Sequence, residues 1–159
     1  MPAKKSADQW FAEYGESHHD HTNELIHWIC VPVIFASVLG FIWTIPVPEV
    51  WHEIAPWFNW TLVAIALATA FYARLSPALS AGMLFFMSLC YSVLVMLELF
   101  APWPVWQISA AAFVVAWIGQ FIGHKIEGKK PSFFKDVFFL LIGPAWLMSF
   151  VYKKIGQRY

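Results

Sequence analysis

Apolar residues in this chain gather into long runs with few interruptions, not into half-polar stripes. Residues 25–43 hold His27 and Ser37 but no formal charge. Roughly 20 apolar residues cross a hydrocarbon core of about 30 Å, so this run predicts a transmembrane helix. Comparable runs at 54–72, 78–100 and 105–122 predict three more. Prolines at 46 and 48 end the first run, Arg74 to Pro77 forms the turn after the second, and Ala101-Pro-Trp-Pro104 links the last two. So short a link predicts that those two spans are antiparallel neighbours. Trp57, Trp60 and Tyr72 read as interfacial anchors of the second span.

The remaining apolar run, Val137 to Val151, is shorter than a bilayer requires and has Gly143-Pro144 at its middle. Residues 133–152 are therefore expected to form a re-entrant or interfacial helical hairpin. Ahead of the first span, Trp10, Phe11 and Tyr14 recur at helical spacing beside Asp8 and Glu13. They predict a short amphipathic helix, lying on the membrane surface or docked on the rest of the protein. The fold class expected is all-α, one integral membrane domain over 1–159. It has four transmembrane helices, an N-terminal segment 1–22 and the C-terminal hairpin.

Composition agrees with a bilayer setting. Of the 159 residues, 60% are apolar and 13% charged, against roughly 45–50% and about 25% in soluble chains. The formal net charge is zero, which gives nucleic acid no basic surface to bind. Lys4, Lys5, Arg74, Lys125, Lys129, Lys130 and Lys135 flank one set of span ends. The loops 44–53 and 101–104 carry no Lys or Arg. By the positive-inside rule both termini are cytoplasmic, Lys153, Lys154 and Arg158 included. Cys30 and Cys90 lie inside apolar runs without a CxxC partner and read as packing residues. The acidic residues Asp8, Glu13 and Glu16 precede any apolar core, so no secretory leader pattern is seen.

Chemistry concentrates in two places. His18, His19, His21 and His27 fall within ten residues just at the first span, and Gln120, His124 and Glu127 lie at the end of the fourth. Neutral imidazole is the commonest protein ligand for divalent transition metals. An even number of crossings returns the second group to the membrane face of the first. Spaced four and three apart, Gln120, His124 and Glu127 share one helix face. His18 and His27 are nine residues apart and would point in opposite directions on one straight helix. If both bind one metal the chain bends between them, with Thr22 or Asn23 suited to cap a new helix.

Polar groups at membrane depth point to function, which favours His18, His27 and His124 as ligands. His19 and His21 are solvated or supporting positions, with direct ligation left open. His52, alone in the opposite loop, and Glu98 read as interfacial. Zinc, iron, copper and nickel all suit such a donor set, and HExxH is absent. Hydrolysis by a metal-bound water and oxygen activation both remain open.

Tyr14, His18, Asn23 and Ile26-His27 leading into Cys30-Val-Pro32 form one motif. Gln120-Phe-Ile-Gly-His124-Lys-Ile-Glu127-Gly-Lys-Lys-Pro131 and Ile142-Gly-Pro144 form two others. Together these motifs, spread over nearly the whole chain, resemble the 2-hydroxy fatty acid dioxygenase family. The fungal member of that family removes one carbon from 2-hydroxy fatty acids in phytosphingosine breakdown. The resemblance implies Fe(II) held by His18, His27 and His124, with Asn23 and Glu127 as motif polar residues. It implies molecular oxygen and a 2-hydroxy long-chain fatty acid as substrates, the acid's alkyl tail remaining in the membrane among membrane lipid. The product is the acid one carbon shorter, formed in an α-oxidation. Glu127 is then expected to orient His124 or a bound water, and Lys125, Lys129 and Lys130 to mark the cytoplasmic side or attract the carboxylate. The relatives imply a bacterial inner membrane, or the endoplasmic reticulum in a eukaryote.

Two other readings belong to different classes. One is a membrane hydrolase or hydroxylase acting on lipid, although six histidines are fewer than diiron lipid hydroxylases carry. The other is a non-enzymatic scaffold, transporter or haem-binding protein.

Overall fold

The computed structural model describes residues 5–130 and 138–159. Residues 133–137 of the expected hairpin, Lys4, Lys135 and the side chain of His52 lie outside the described part. Among the described residues the chain forms seven helices and no strand. They are α1 (Ala7–Gly15), α2 (His21–Trp43), α3 (Glu49–Ile54), α4 (Trp60–Leu75), α5 (Pro77–Phe100), α6 (Val105–Glu127) and α7 (Phe139–Lys154).

Among the described residues, α2, α5 and α6 are long and apolar enough to cross a membrane, with mean hydropathies of 2.3, 2.1 and 1.6. The second expected span is shorter than its apolar run. Ala55 precedes Pro56, which disfavours helical backbone there, and it is extended (φ −142°, ψ 82°). The helix restarts only at Asn59, whose side chain accepts from Thr61 N at 2.8 Å. The 16 residues of α4 reach about 24 Å at 1.5 Å per residue. Ser76 then ends α4 and caps α5, accepting from Leu79 N at 3.2 Å.

α2 is the innermost of the long helices. Its closest partner is α6, antiparallel to it: Gly123 meets Asn23, Gly119 meets Cys30 and Ser109 meets Gly40. Small residues let two backbones approach where side chains would hold them apart. A Cβ on Gly119 would sit 2.6 Å from Cys30 Sγ. This pairing corrects the expectation from loop length. α6 does return antiparallel to α5, but it packs mainly on α2 because its small residues face that helix.

α1 is docked rather than free. A capping box starts it, with Ser6 Oγ accepting from Gln9 N and Ser6 N donating to Gln9 Oε1. Its buried face, Phe11 and Tyr14, packs on α7, where Tyr14 and Trp146 lie 5.3 Å apart between ring centroids.

The expected break at Gly143-Pro144 is not there. α7 runs unbroken through Pro144, so its described residues form one helix and no hairpin. Proline removes the donor that would bond Leu140 O, and one residue further on the Tyr72 hydroxyl donates to Leu141 O at 2.7 Å, tying α7 to α4. Tyr72 is fully buried and is not the interfacial anchor expected of it. Tyr152 likewise donates to Ala78 O at 2.6 Å, and Trp28 packs on Phe150. These contacts all fall on the start of α2, the end of α4 and the start of α5, so α7 lies across one end of the bundle. Tyr72→Phe is expected to cost about 1 kcal/mol, the usual net value of one hydrogen bond. A lowered thermal midpoint would show it; an unchanged midpoint would mean that the bond adds nothing net to stability.

Candidate metal centre

α1 stops at Gly15 and α2 starts at His21, so residues 16–20 turn the chain back on itself. Asp20 caps α2, its carboxylate accepting from Thr22 N at 2.8 Å and Asn23 N at 3.2 Å. The expectation of Thr22 or Asn23 in that role is corrected. A carboxylate at the positive end of the helix does the capping, which leaves the Asn23 side chain free for another task. The turn folds His18 over His27, and the α2–α6 pairing brings His124 beside both.

The three rings are buried. Centroids lie 4.2 Å apart for His18–His27, 5.1 Å for His18–His124 and 5.0 Å for His27–His124. One ligand atom from each lies within 4.8 Å of the other two. His18 Nδ1 is 2.6 Å from Tyr14 O and His27 Nδ1 is 2.8 Å from Asn23 O. A carbonyl oxygen only accepts, so both Nδ1 atoms carry the hydrogen, and in the neutral rings both Nε2 atoms carry a lone pair. Those two Nε2 atoms face each other at 2.8 Å. Burial holds His18 below the usual imidazole range, against the pull of its bond to Tyr14 O, which disfavours a proton in the gap.

Two converging lone pairs repel unless a cation sits between them. With metal–nitrogen bonds of about 2.0–2.1 Å, neighbouring ligands of one ion stand about 3 Å apart. His124 Nδ1 is also buried without a hydrogen-bond partner among the described residues. The donor set therefore fits a divalent metal held by three imidazoles, a count that leaves coordination positions open.

What holds the histidines differs from what spacing suggested. Glu127 does not bond His124: its carboxylate accepts from His19 N at 3.0 Å, Asp20 N at 2.8 Å and Asn23 Nδ2 at 3.1 Å. Asn23 Nδ2 also donates to Ser17 O at 3.2 Å. Glu127 thus clamps the turn carrying His18 to the end of α6, and Asn23 is the peg between them. The Lys129 ammonium donates to Glu16 O of the same turn, so it braces the turn. Gly128 (φ 73°) ends α6 in the left-handed region and directs the chain to that contact. His19 and His21 are exposed and stand outside the cluster, His19 offering Glu127 only its backbone N–H.

Removing this clamp should loosen His18 without unfolding the protein. Glu127→Ala is expected to weaken metal binding about 10–100-fold, the usual cost of losing a group that orients a ligand. Chelator competition measures it, and an unchanged affinity would show that the turn is rigid without Glu127.

Other supports carry little local signal. Tyr14 stacks on His18 at 4.3 Å and 15°, and burial raises its hydroxyl pKa. The i, i+4 spacing of Tyr14 and His18 hints at this contact. Trp146 packs 5.2 Å from His18 from the far end of the chain, where nothing nearby marks it.

A cavity of about 280 Å³ opens beside His27, His124 and Gln120. Its other walls are mainly apolar, among them Val31, Ile34, Phe35 and Leu141, with Tyr14 and Trp117 as the remaining residues that carry a polar atom, and it reaches Val38. Val38 lies eleven residues beyond His27, about 16 Å along the helix axis.

Fold and site together define a class: an all-helical protein with membrane-length apolar helices and a buried three-histidine centre opening on an apolar cavity. Within that class the chain belongs to the 2-hydroxy-palmitic acid dioxygenase Mpo1-like family, whose profile matches residues 4–155. No curated protein and no solved structure shows a significant match to it. The family's name implies a dioxygenase acting on a 2-hydroxy fatty acid.

Proposed function

We propose that this chain is an Fe(II)-dependent dioxygenase converting a 2-hydroxy long-chain fatty acid and molecular oxygen to the acid one carbon shorter. The observation that carries the reading is the facing pair of Nε2 lone pairs, joined by His124 at the polar end of an apolar cavity. Balanced over one O2, the products are the shortened acid, carbon dioxide and water. Iron held by His18, His27 and His124 would supply oxygen activation and cleavage of the bond between the carboxyl and hydroxyl-bearing carbons.

The chain's own residues do the rest. Tyr14 O and Asn23 O fix the tautomers of His18 and His27, so that both rings present lone pairs. Glu127 and Asn23 hold the turn that seats His18. The apolar walls receive the alkyl tail and exclude water from the polar end.

We read the chain as one integral membrane domain, with α4 as a short fourth crossing beside α2, α5 and α6. Lysine and arginine placement puts both termini and the centre on the cytoplasmic side, most simply of a bacterial inner membrane. Accessibility labelling of cysteines introduced at His19 and Lys125 tests this, and opposite sides would refute it.

The deciding experiment is elemental analysis of the purified protein with oxygen uptake on 2-hydroxypalmitate and on palmitate. Stoichiometric iron, uptake with the 2-hydroxy acid only, and a product one carbon shorter are expected. Stoichiometric zinc without oxygen uptake would overturn the proposal in favour of hydrolysis, and a Soret band would overturn it in favour of haem.

A further inference from the structure

Gln120 is a polar group of the centre that neither the clamp nor the histidine cluster uses. Asn23 Nδ2, the Glu127 carboxylate and the Nδ1 atoms of His18 and His27 are all committed to partners. Gln120 lies one helical turn before His124, is 4% exposed and lines the cavity. Its Nε2 is buried and bonds to nothing among the described residues. Buried polar groups are nearly always satisfied, so an orphan donor facing a cavity marks the place of a missing acceptor.

The surroundings say what that acceptor is. No lysine or arginine lines the cavity among the described residues, and beyond the imidazoles, Gln120 and the two aromatic residues with a polar atom, Tyr14 and Trp117, its walls are hydrocarbon as far as Val38. This is the shape of an amphiphile whose polar head sits by the histidines. A carboxylate has two oxygens and about four acceptor sites, and it engages a neutral amide by a charge-assisted bond. A 2-hydroxyl is a weaker acceptor with one oxygen.

We propose that Gln120 is a substrate-binding residue, its Nε2–H donating to the carboxylate of a long-chain acid whose alkyl chain fills the cavity toward Val38. This assignment rests on the reading of the site as one for 2-hydroxy acids and adds the residue that recognises the acid head. It also implies that saturated acids lacking the 2-hydroxyl bind as competitors, because the recognised group is the carboxylate.

The test is equilibrium binding to the full chain in nanodiscs, metal-free, by displacement of a fluorescent fatty acid. Palmitate, 2-hydroxypalmitate and hexadecanol are the competitors, with wild type, Gln120→Leu and Gln120→Glu compared. Gln120→Leu is expected to weaken both acids about tenfold, which corresponds to about 1.4 kcal/mol, and to leave hexadecanol and metal content unchanged. Gln120→Glu preserves size and replaces the donor by a repelling group, so it weakens both acids at least as much and covers any misfolding of the leucine variant. In the iron-loaded enzyme, KM for 2-hydroxypalmitate rises while kcat changes less. Wild-type binding of both acids by either folded variant would overturn the assignment. So would a loss confined to 2-hydroxypalmitate, which would mean the hydroxyl is the partner. If acids bind through Gln120 but the wild type consumes no oxygen, the dioxygenase reading falls and the carboxylate site stands.

Discussion

Alanine at His18, His27 or His124 is expected to abolish stoichiometric metal binding and activity together. Each variant removes a ligand rather than a group that orients one, so retention should fall by more than the 10–100-fold typical of orienting groups. Stability separates this from simple unfolding. A metal that binds only the folded wild type at about 100 times its Kd stabilises it by about 2.7 kcal/mol. For a chain of this length that raises the thermal midpoint by about 5–10 °C. The variants should show no such rise. Without metal, His18→Ala or His27→Ala also relieves the 2.8 Å approach of two lone pairs, which offsets part of the lost packing. A variant that keeps metal-dependent stabilisation would show that its ring is not a ligand.

The second large effect concerns the seam between α2 and α6. A Cβ on Gly123 would overlap Asn23 Oδ1 and approach Ile26 Cγ2 to 3.4 Å. Asn23 cannot swing away freely, because its Nδ2 is bonded to Ser17 O and Glu127. Gly123→Ala should therefore cost about 1–3 kcal/mol by overpacking and weaken metal binding by releasing the turn that seats His18. Gly40→Ala is the matched control. Its Cβ would overlap Ser109 Oγ, and it meets Leu94 Cδ2 at 3.3 Å, about 25 Å along α2 from Asn23. It should lower stability comparably and leave the metal affinity of the folded protein intact. Equal affinities for Gly123→Ala and wild type would show that the seam does not set the geometry of the centre.

The residues that come together were readable because polar groups are conspicuous in apolar sequence. Gln120, His124 and Glu127 declared one helix face by their spacing, and the antiparallel pairing of α6 with α2 carries that face back to His18 and His27. Their partners were less readable. Glu127 was expected to orient His124 or a bound water, yet its carboxylate bonds a turn more than a hundred residues away in sequence. Spacing along a helix reports which groups share a face and not what that face meets. The α5–α6 link and the Gly143-Pro144 pair misled for a related reason. Loop length limits which helices can touch, and proline weakens one helical bond. Which helices do touch depended on the small residues of α6, and α7 runs on through Pro144 while Tyr72 ties its Leu141 carbonyl to α4.

By itself, the sequence determined an all-helical chain with membrane-length apolar runs and histidine-bearing polar segments at the ends of two of them. Water excludes such runs and the bilayer sets their length, and neither constraint depends on neighbours. Only the tertiary structure decided that two Nε2 lone pairs converge, that Asn23 and Glu127 lock the turn, and that Gln120 faces a cavity with its donor unspent. Those outcomes depend on where carbonyls, amides and ring edges stand to within about an ångström. That precision comes from packing α2, α6 and α7 around one another, which no local stretch of residues contains.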